Sequence, residues 1–441
     1  MTISNYGKII PLALVAVMGL SAYNGINTKA KTNEKYEAIV QKARDYAKDG
    51  IYSEAEKAYL EAQKIKDSAD LRAELGKVYI DGEQLTMARS WADQFVSEYP
   101  HDAESYEYGV EVSLKRKDFD TFFTLYDKAN SLRVTSDYLK KTYKKHEYEM
   151  KEGYVAYADA SVYSQELSPT KYEDKWGYVN ESGKEIGKLC YVYAGPFSTD
   201  GMAPVIDNEG EAFFVNKEGN KEKAIHGLKK IDEIGMISEG IFPAKINDKW
   251  AYYDLEGKKK FGSYDEATTL ANGYAAVYED GMWNVIDAKG KKITQTDYNE
   301  VVSDEKGIIY RNDRIFVDDA GQYYMIDAKG KKVGKESYQN ARTFGETDGY
   351  AAVEVDNKWG FIDKSGKMVI KPKYENARSF VNGFAAVEID GKWGFIDKDG
   401  NTAIKPSYEG VKDFSSKGSV FVQDKYKNWK LMSLYKDNHE K

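Results

Sequence analysis

One phrase returns along the back two-thirds of this chain, clearest as Lys-Trp-Gly-Phe-Ile-Asp-Lys-x-Gly at residues 358–366 and 392–400. No other feature constrains the fold as much, because each unit of such an array buries its apolar face only against its neighbours. Looser copies surround six further aromatic residues. Trp176, Phe213, Trp250, Trp283, Tyr323, Trp359, Trp393 and Trp429 then fall 37, 37, 33, 40, 36, 34 and 36 residues apart. Six of the seven tryptophans occupy this one position, which marks it as the anchor of the unit. About eight units therefore fill residues 151–441.

Each unit reads as β-structure. In the clearest copy an apolar run at 384–389 precedes Asp390-Gly391, a pair suited to a tight hairpin with positive φ. The return run alternates, with Trp393, Phe395 and Asp397 on one face and Gly394 and Ile396 on the other. Asp397 and Gly400 take the first and fourth places of a type I turn. A third run at 402–404 leads into Pro406, which puts it at a sheet edge, and 410–414 supplies a fourth short strand. The same punctuation recurs at Gly273-Tyr-Ala-Ala-Val277, Gly349-Tyr-Ala-Ala-Val353 and Lys371-Pro-x-Tyr374.

This pattern resembles the WG (KWG) β-repeat family of bacterial proteins, over roughly residues 170–435. The resemblance implies a repeat interaction module without an assigned reaction. Two all-β architectures satisfy such an array: a closed, propeller-like ring of seven or eight blades, or an open β-solenoid. The ring is favoured because closure protects the sheet edges.

Residues 31–150 carry apolar and charged residues at helical spacing, with no proline before Pro100. Gly76, Tyr79, Ala88, Phe95 and Pro100 stand at offsets that resemble a tetratricopeptide repeat. Ala43, Tyr46, Ala55, Tyr59 and Ala62 make an earlier copy, and Val110, Phe122, Tyr126 and Ala129 a later one. The resemblance implies α-helical hairpins that approach closely at their small residues. A last helix at 136–150, ending in Lys140, Lys141, Lys144 and Lys145, caps the array.

Residues 1–30 hold a 12-residue apolar run at 9–20, preceded by Lys8 and followed by no charge until Lys29. The run is shorter than the ~20 residues a bilayer span prefers and lies in the range of a secretory segment. It is read as an export element. An uncleaved membrane anchor is favoured over a signal peptide cut near Leu20-Ser21-Ala22, because no clear Ala-x-Ala site is present.

The net charge of −8 divides as −2 over residues 1–150 (22 basic, 24 acidic) and −6 over the rest, with both signs interspersed. Nucleic acid is therefore not an expected partner, since phosphate neutralisation needs clustered Lys and Arg. Cys190 stands alone, so no disulfide framework or cysteine zinc site is expected. His101, His146, His226 and His439 are not paired at ligand spacing. Zincin, phosphate-loop, nucleophile-elbow and dinucleotide motifs are missing, and no catalytic residue, cofactor or metal is assigned. A glycosidase needs only two placed carboxylates, but 72 acidic residues give no means of choosing two. Asp254, Asp287, Asp327, Asp363 and Asp397 are read as capping their own turns, because a calcium loop needs several converging oxygens.

The eight anchor aromatics admit two roles, stacking on sugar rings or packing blade on blade with the following glycine giving room. Their replacement by Phe213 and Tyr323 in two units favours packing. Taken together, the chain reads as a non-enzymatic, exported bacterial interaction scaffold. It is held at the cell membrane by its N-terminal segment, and its helical repeats present a β-repeat module to a protein partner. The alternative is a cell-wall or polysaccharide-binding protein using exposed aromatics, and the alternative location is secreted.

Overall fold

The computed structural model of the chain describes residues 12–225, 228 and 230–437. Two compact units divide between Glu147 and Tyr148.

The first unit contains seven helices among the described residues. They are α1 (Leu12–Lys48), α2 (Tyr52–Ile65), α3 (Ala69–Asp81), α4 (Leu85–Glu98), α5 (Ala103–Lys115), α6 (Phe119–Ser131) and α7 (Asp137–His146). Four of the starts, those of α3, α5, α6 and α7, are set by side chains that accept a hydrogen bond from the first turn: Ser68 from Leu71, Asp102 from Glu104, Asp118 from Thr121, Ser136 from Leu139. Small residues fill the helix contacts, Gly76 where α3 meets α5 of the next hairpin. Ala43, Ala55, Ala62 and Ala88 are wholly buried, and a Cβ on Gly76 would lie 2.5 Å from the Tyr108 ring. Buried Arg72 clamps the middle hairpin. It pairs with Asp67 at 2.6 Å and with Glu98, lies 5.3 Å from the Trp91 ring, and accepts that indole N–H through its carbonyl at 3.0 Å.

The last helix stops at His146 rather than reaching residue 150, and Met150 already opens a β-strand. Of the export element read at 1–30, residues 1–11 lie outside the described residues. Among the described residues no helix is long and apolar enough to cross a membrane.

The second unit is an eight-bladed β-propeller. Its blades are residues 159–191, 193–224, 233–264, 266–298, 300–338, 340–374, 376–408 and 410–434. Blade 7 shows the plan, a short first strand (Asn376–Ala377) followed by Ala385–Ile389, Lys392–Ile396 and an outer strand, Thr402–Tyr408. Pro406 lies in that outer strand, at the sheet edge where a missing N–H is tolerated. Gly410–Val411 does not complete this blade as the sequence suggested. It begins blade 8, because the chain must return inward after each outer strand.

Glycine in the Trp-Gly pair also has a different use from the one expected. A Cβ on Gly394 would meet the Ile404 carbonyl oxygen at 2.5 Å and the Pro406 nitrogen at 2.6 Å, and Gly360 has the same relation to Ile370 and Pro372. The glycine admits the bulged backbone of the outer strand, and the tryptophan gains no room from it. Blade 4 carries Asn284 at this position, and its outer strand shrinks to two isolated bridges, Trp283 to Tyr298 and Ile286 to Lys292.

Closure of the ring is made by the strand Met150–Tyr157. It pairs with Trp429–Leu434 and becomes the outer strand of blade 8. Tyr157, Phe421 and Leu431 of this last blade then share one apolar cluster with Ala160, Tyr163 and Val179 of the first. The Ser419 hydroxyl donates across the same seam to the Glu181 carbonyl at 2.8 Å. Other seams reuse a device: Asn272, Asn312 and Asn382, each in a left-handed turn, donate to Tyr310, Gly345 and Phe414 carbonyls of the next blade. Between blades the core is aromatic, as with Phe361 and Phe380, centroids 4.9 Å apart. Each such ring contributes about 1.5–3 kcal/mol by leaving water.

Candidate functional site

The eight anchor aromatics hold a fixed place in the ring. Trp393 is in register with Glu388, which pairs with Asn376 at the start of the first strand, and with Tyr408 of the outer strand. The Trp-to-Tyr pairing recurs as Trp176–Tyr191, Trp250–Tyr264, Trp283–Tyr298, Tyr323–Tyr338 and Trp359–Tyr374. At the seam it is Trp429–Tyr157, so the closing strand is a displaced copy of the repeat's outer strand. Phe213 (7% exposed) and Trp359 (4%) are buried, whereas Trp176, Trp250, Trp283, Tyr323, Trp393 and Trp429 are half-buried. Two of these rings, Trp393 and Trp429, line one cavity, and Trp250 and Trp283 line another.

The two cavities, about 770 Å³ and about 580 Å³, draw most of their walls from the first strands and the loops after them, with the four tryptophans added. The larger is bounded by blades 1 and 5 to 8, the smaller by blades 2 to 5, so together they make up the central channel. They share Ser303, Glu305 and Lys306 as a common wall. These residues belong to an insertion. The first two strands are joined by 13 residues in blade 5, against 7 in blade 7 and 6 in blade 4.

The insertion forms a strap. Asp304 caps its own turn, accepting from the N–H groups of Lys306 and Ile308 at 2.9 Å each. The Lys306 and Gly307 carbonyls accept from Thr269 of blade 4 at 3.0 and 3.1 Å. Lys306 pairs with Glu346 of blade 6 at 2.7 Å. Glu305 reaches Arg378 of blade 7 at 2.7 Å and Lys412 of blade 8 at 2.9 Å. Burial alone would raise the Glu305 carboxyl, but Arg378 and Lys412 reverse this and hold it below the usual range.

Charge is divided between the two sides of the strap by repeat position. The first residue of the first strand is Glu233, Glu266 and Glu300 in blades 3, 4 and 5, and all three line the smaller cavity. Lys245 pairs with Glu233 at 2.8 Å, and the Tyr323 hydroxyl donates to Glu300 at 2.5 Å. Two residues further along, blades 6, 7 and 8 carry Arg342, Arg378 and Lys412, where blades 1 to 5 carry Ser161, Gly195, Gly235, Thr268 and Val302. Arg378 is bidentate to Asp413, at 2.7 and 2.8 Å, as well as bound to Glu305. Arg342 lies over Trp359, 5.0 Å from the ring centroid, and Lys412 over Trp429 at 5.2 Å. Enclosure by the cavity wall and the neighbouring Arg378 pull the Arg342 guanidinium down from its ordinary value.

The Asp-x-x-Gly turns hold themselves. Asp287, Asp327, Asp363 and Asp397 each accept two backbone N–H groups at 2.8–3.1 Å, and Asp254 accepts from Lys258 at 2.8 Å. These bonds lower the carboxyls of Asp287 and Asp327. Among the described residues, no group of three or more His, Cys, Asp or Glu side chains is placed to hold a metal ion. Cys190 is a half-buried free thiol, and His226 and His439 lie outside the described residues.

Neither the channel cations nor the closing strand stood out from the Trp-Gly phrase. A second phrase marks both. Tyr338-x-x-Ala341-Arg342-Thr-Phe344 recurs as Tyr374-x-x-Ala377-Arg378-Ser-Phe380 and Tyr408-x-x-Val411-Lys412-Asp-Phe414. Its opening, Tyr157-x-x-Ala160, announces the outer strand that closes the ring.

The fold and this repeat-built channel define a class, an eight-bladed β-propeller preceded by helical hairpins. Five segments match the family described as WG containing repeat: residues 176–209, 229–250, 325–359, 359–393 and 393–429. No curated protein sequence matches the chain. Among solved structures, Kluyveromyces lactis Hsv2p aligns at 10% identity and TM-score 0.37, over 54% of this chain and 92% of its own. Saccharomyces cerevisiae Sqt1 aligns at 9% and 0.41, over 63% and 95%. A second Kluyveromyces lactis structure, Hsv2 with complete loop 6CD, aligns at 9% and 0.36, over 63% and 97%.

Proposed function

We propose that this protein is a non-enzymatic interaction scaffold that binds protein partners through its propeller channel and its helical hairpins. One observation carries the reading. The cavity walls present half-buried tryptophans and the Arg342 and Arg378 guanidinium groups, and Trp and Arg are among the side chains that dominate protein–protein contact energies. An exported bacterial protein, anchored by its N-terminal segment with both units outside the membrane, is the setting we propose for it. The repeat resemblance and the apolar run at 9–20 support that setting.

A second reading, polysaccharide binding, draws on the tryptophan pairs Trp250–Trp283 and Trp393–Trp429, each lining one cavity. The immobilised full chain separates the two when offered membrane extract and isolated cell-wall polysaccharide in parallel. The scaffold reading expects a defined, protease-sensitive protein to be retained. Saturable retention of polysaccharide, displaced by free sugar, would replace it with the second reading. Location is tested separately by adding protease to intact cells, where an exported anchor predicts loss of both units.

A further inference from the structure

Glu305 is a carboxylate already seated in the channel, and its surroundings show what the larger cavity is built to hold. The strap brings it from blade 5 to the inner wall of blades 7 and 8, where Arg378 and Lys412 bind it at 2.7 and 2.9 Å. The third cation of the same repeat position, Arg342, has no such occupant. It lines the cavity, rests on Trp359 at 5.0 Å, and makes no ion pair among the described residues. A guanidinium backed by an aromatic face keeps its fork of N–H donors aimed outward, the geometry that receives a carboxylate in two parallel bonds.

Charge at this wall is also incomplete. Arg378 and Lys412 face Glu305 and Asp413, while the other carboxylates of the lining have cations of their own, Asp304 with Arg311, Glu346 with Lys306, and Glu166 and Glu181 with Lys417, so that Arg342 is the cation left over. Deepening the protein-binding reading on which it rests, we propose that the basic wall of blades 6 to 8 takes an acidic segment of a protein partner. A partner carboxylate binds Arg342, and Glu305 is the internal competitor for the sites beside it. A peptide carboxylate is favoured as occupant because the group the wall already holds is a glutamate side chain. The cavity of about 770 Å³ admits several residues of extended chain.

The test uses the full chain and two fluorescein-labelled peptides of equal length, one rich in glutamate and one rich in lysine, followed by fluorescence anisotropy at low ionic strength. The glutamate peptide is expected to bind at least tenfold more tightly than the lysine peptide. Arg342→Gln, which removes no ion pair of the fold, is expected to weaken the glutamate peptide about tenfold. Glu305→Gln is expected to strengthen it by a similar factor. Equal binding of both peptides, or a glutamate peptide indifferent to Arg342→Gln, overturns the proposal. So does binding of a phosphopeptide without binding of the glutamate peptide. Should Glu305→Gln fail to fold, Arg342→Gln decides alone. A natural protein partner retained equally by the wild type and Arg342→Gln removes this site but leaves the scaffold reading standing.

Discussion

Blades 6 and 7 and blades 4 and 5 are built from one repeat and have come to differ in three ways. Blades 6 and 7 keep Gly360 and Gly394, full outer strands, and first-strand loops of 8 and 7 residues. Blade 4 puts Asn284 in place of that glycine and loses its outer strand, and blade 5 carries the 13-residue loop. The wall charge changes sign with them, from Arg342 and Arg378 to Glu266 and Glu300. Regular blades spend their residues on the ring itself. The irregular ones supply the strap and the acidic wall, and a chemical asymmetry within an eight-fold frame has to come from such departures.

The first way to break this contrast is Gly394→Val. Its side chain would meet backbone atoms at 2.5 and 2.6 Å, which cannot swing aside. A loss of about 3 kcal/mol is expected from urea unfolding, as for other overpacked cores. Asn284→Ala should act in the opposite direction. Both polar atoms of Asn284 are buried without a hydrogen-bond partner, and an unpaired buried polar group costs about 1–3 kcal/mol. Its removal is expected to stabilise the protein by about 1 kcal/mol, since blade 4 has no outer strand for a glycine to admit. If both substitutions destabilise alike, the glycine position means the same thing in every blade.

The strap gives a pH-dependent contrast. The folded-state carboxyl of Glu305 lies below its ordinary value of 4.5, so its contribution is present above that pH and lost as pH falls through the lower folded value. Wild type and Glu305→Gln should therefore differ in unfolding midpoint at pH 7 and converge in acid. A gap that widens on acidification would mean that Glu305 is not held by Arg378 and Lys412. The smallest effect belongs to Lys245→Ala, which removes a solvent-screened partner of Glu233 and should leave the urea unfolding midpoint almost unchanged, with any loss vanishing in high salt.

Much of the ring was legible before the fold was known, because Trp393, Phe395 and Asp397 fall on one face of a strand and Gly394 and Ile396 on the other, the two-residue alternation of a blade. The helical hairpins were legible for a related reason, as Ala43, Ala55 and Gly76 sit where only small residues fit. The closing strand escaped notice because Tyr157 belongs to a repeat whose other strands, at 410–434, come at the far end of the sequence. Its bond partner Trp429 is local in space and remote in sequence. Glycine at Gly394 was assigned the wrong neighbour, since a sequence records that space is needed without recording which chain fills it. The channel charges were hidden differently. Arg342, Arg378 and Lys412 are unremarkable among 64 basic residues until the ring brings their repeat position to one wall.

The most direct test of the account places a photo-crosslinking residue, p-benzoylphenylalanine, at one of two positions in the full chain. One is Asn376 on the channel wall, and the other is Lys371 on the exposed outer strand of blade 6. Irradiation with the glutamate-rich peptide is predicted to give a covalent product at Asn376, abolished by Arg342→Gln, and none at Lys371. Equal labelling at the two positions, or labelling at Lys371 alone, would contradict the claim that the channel is where this propeller binds.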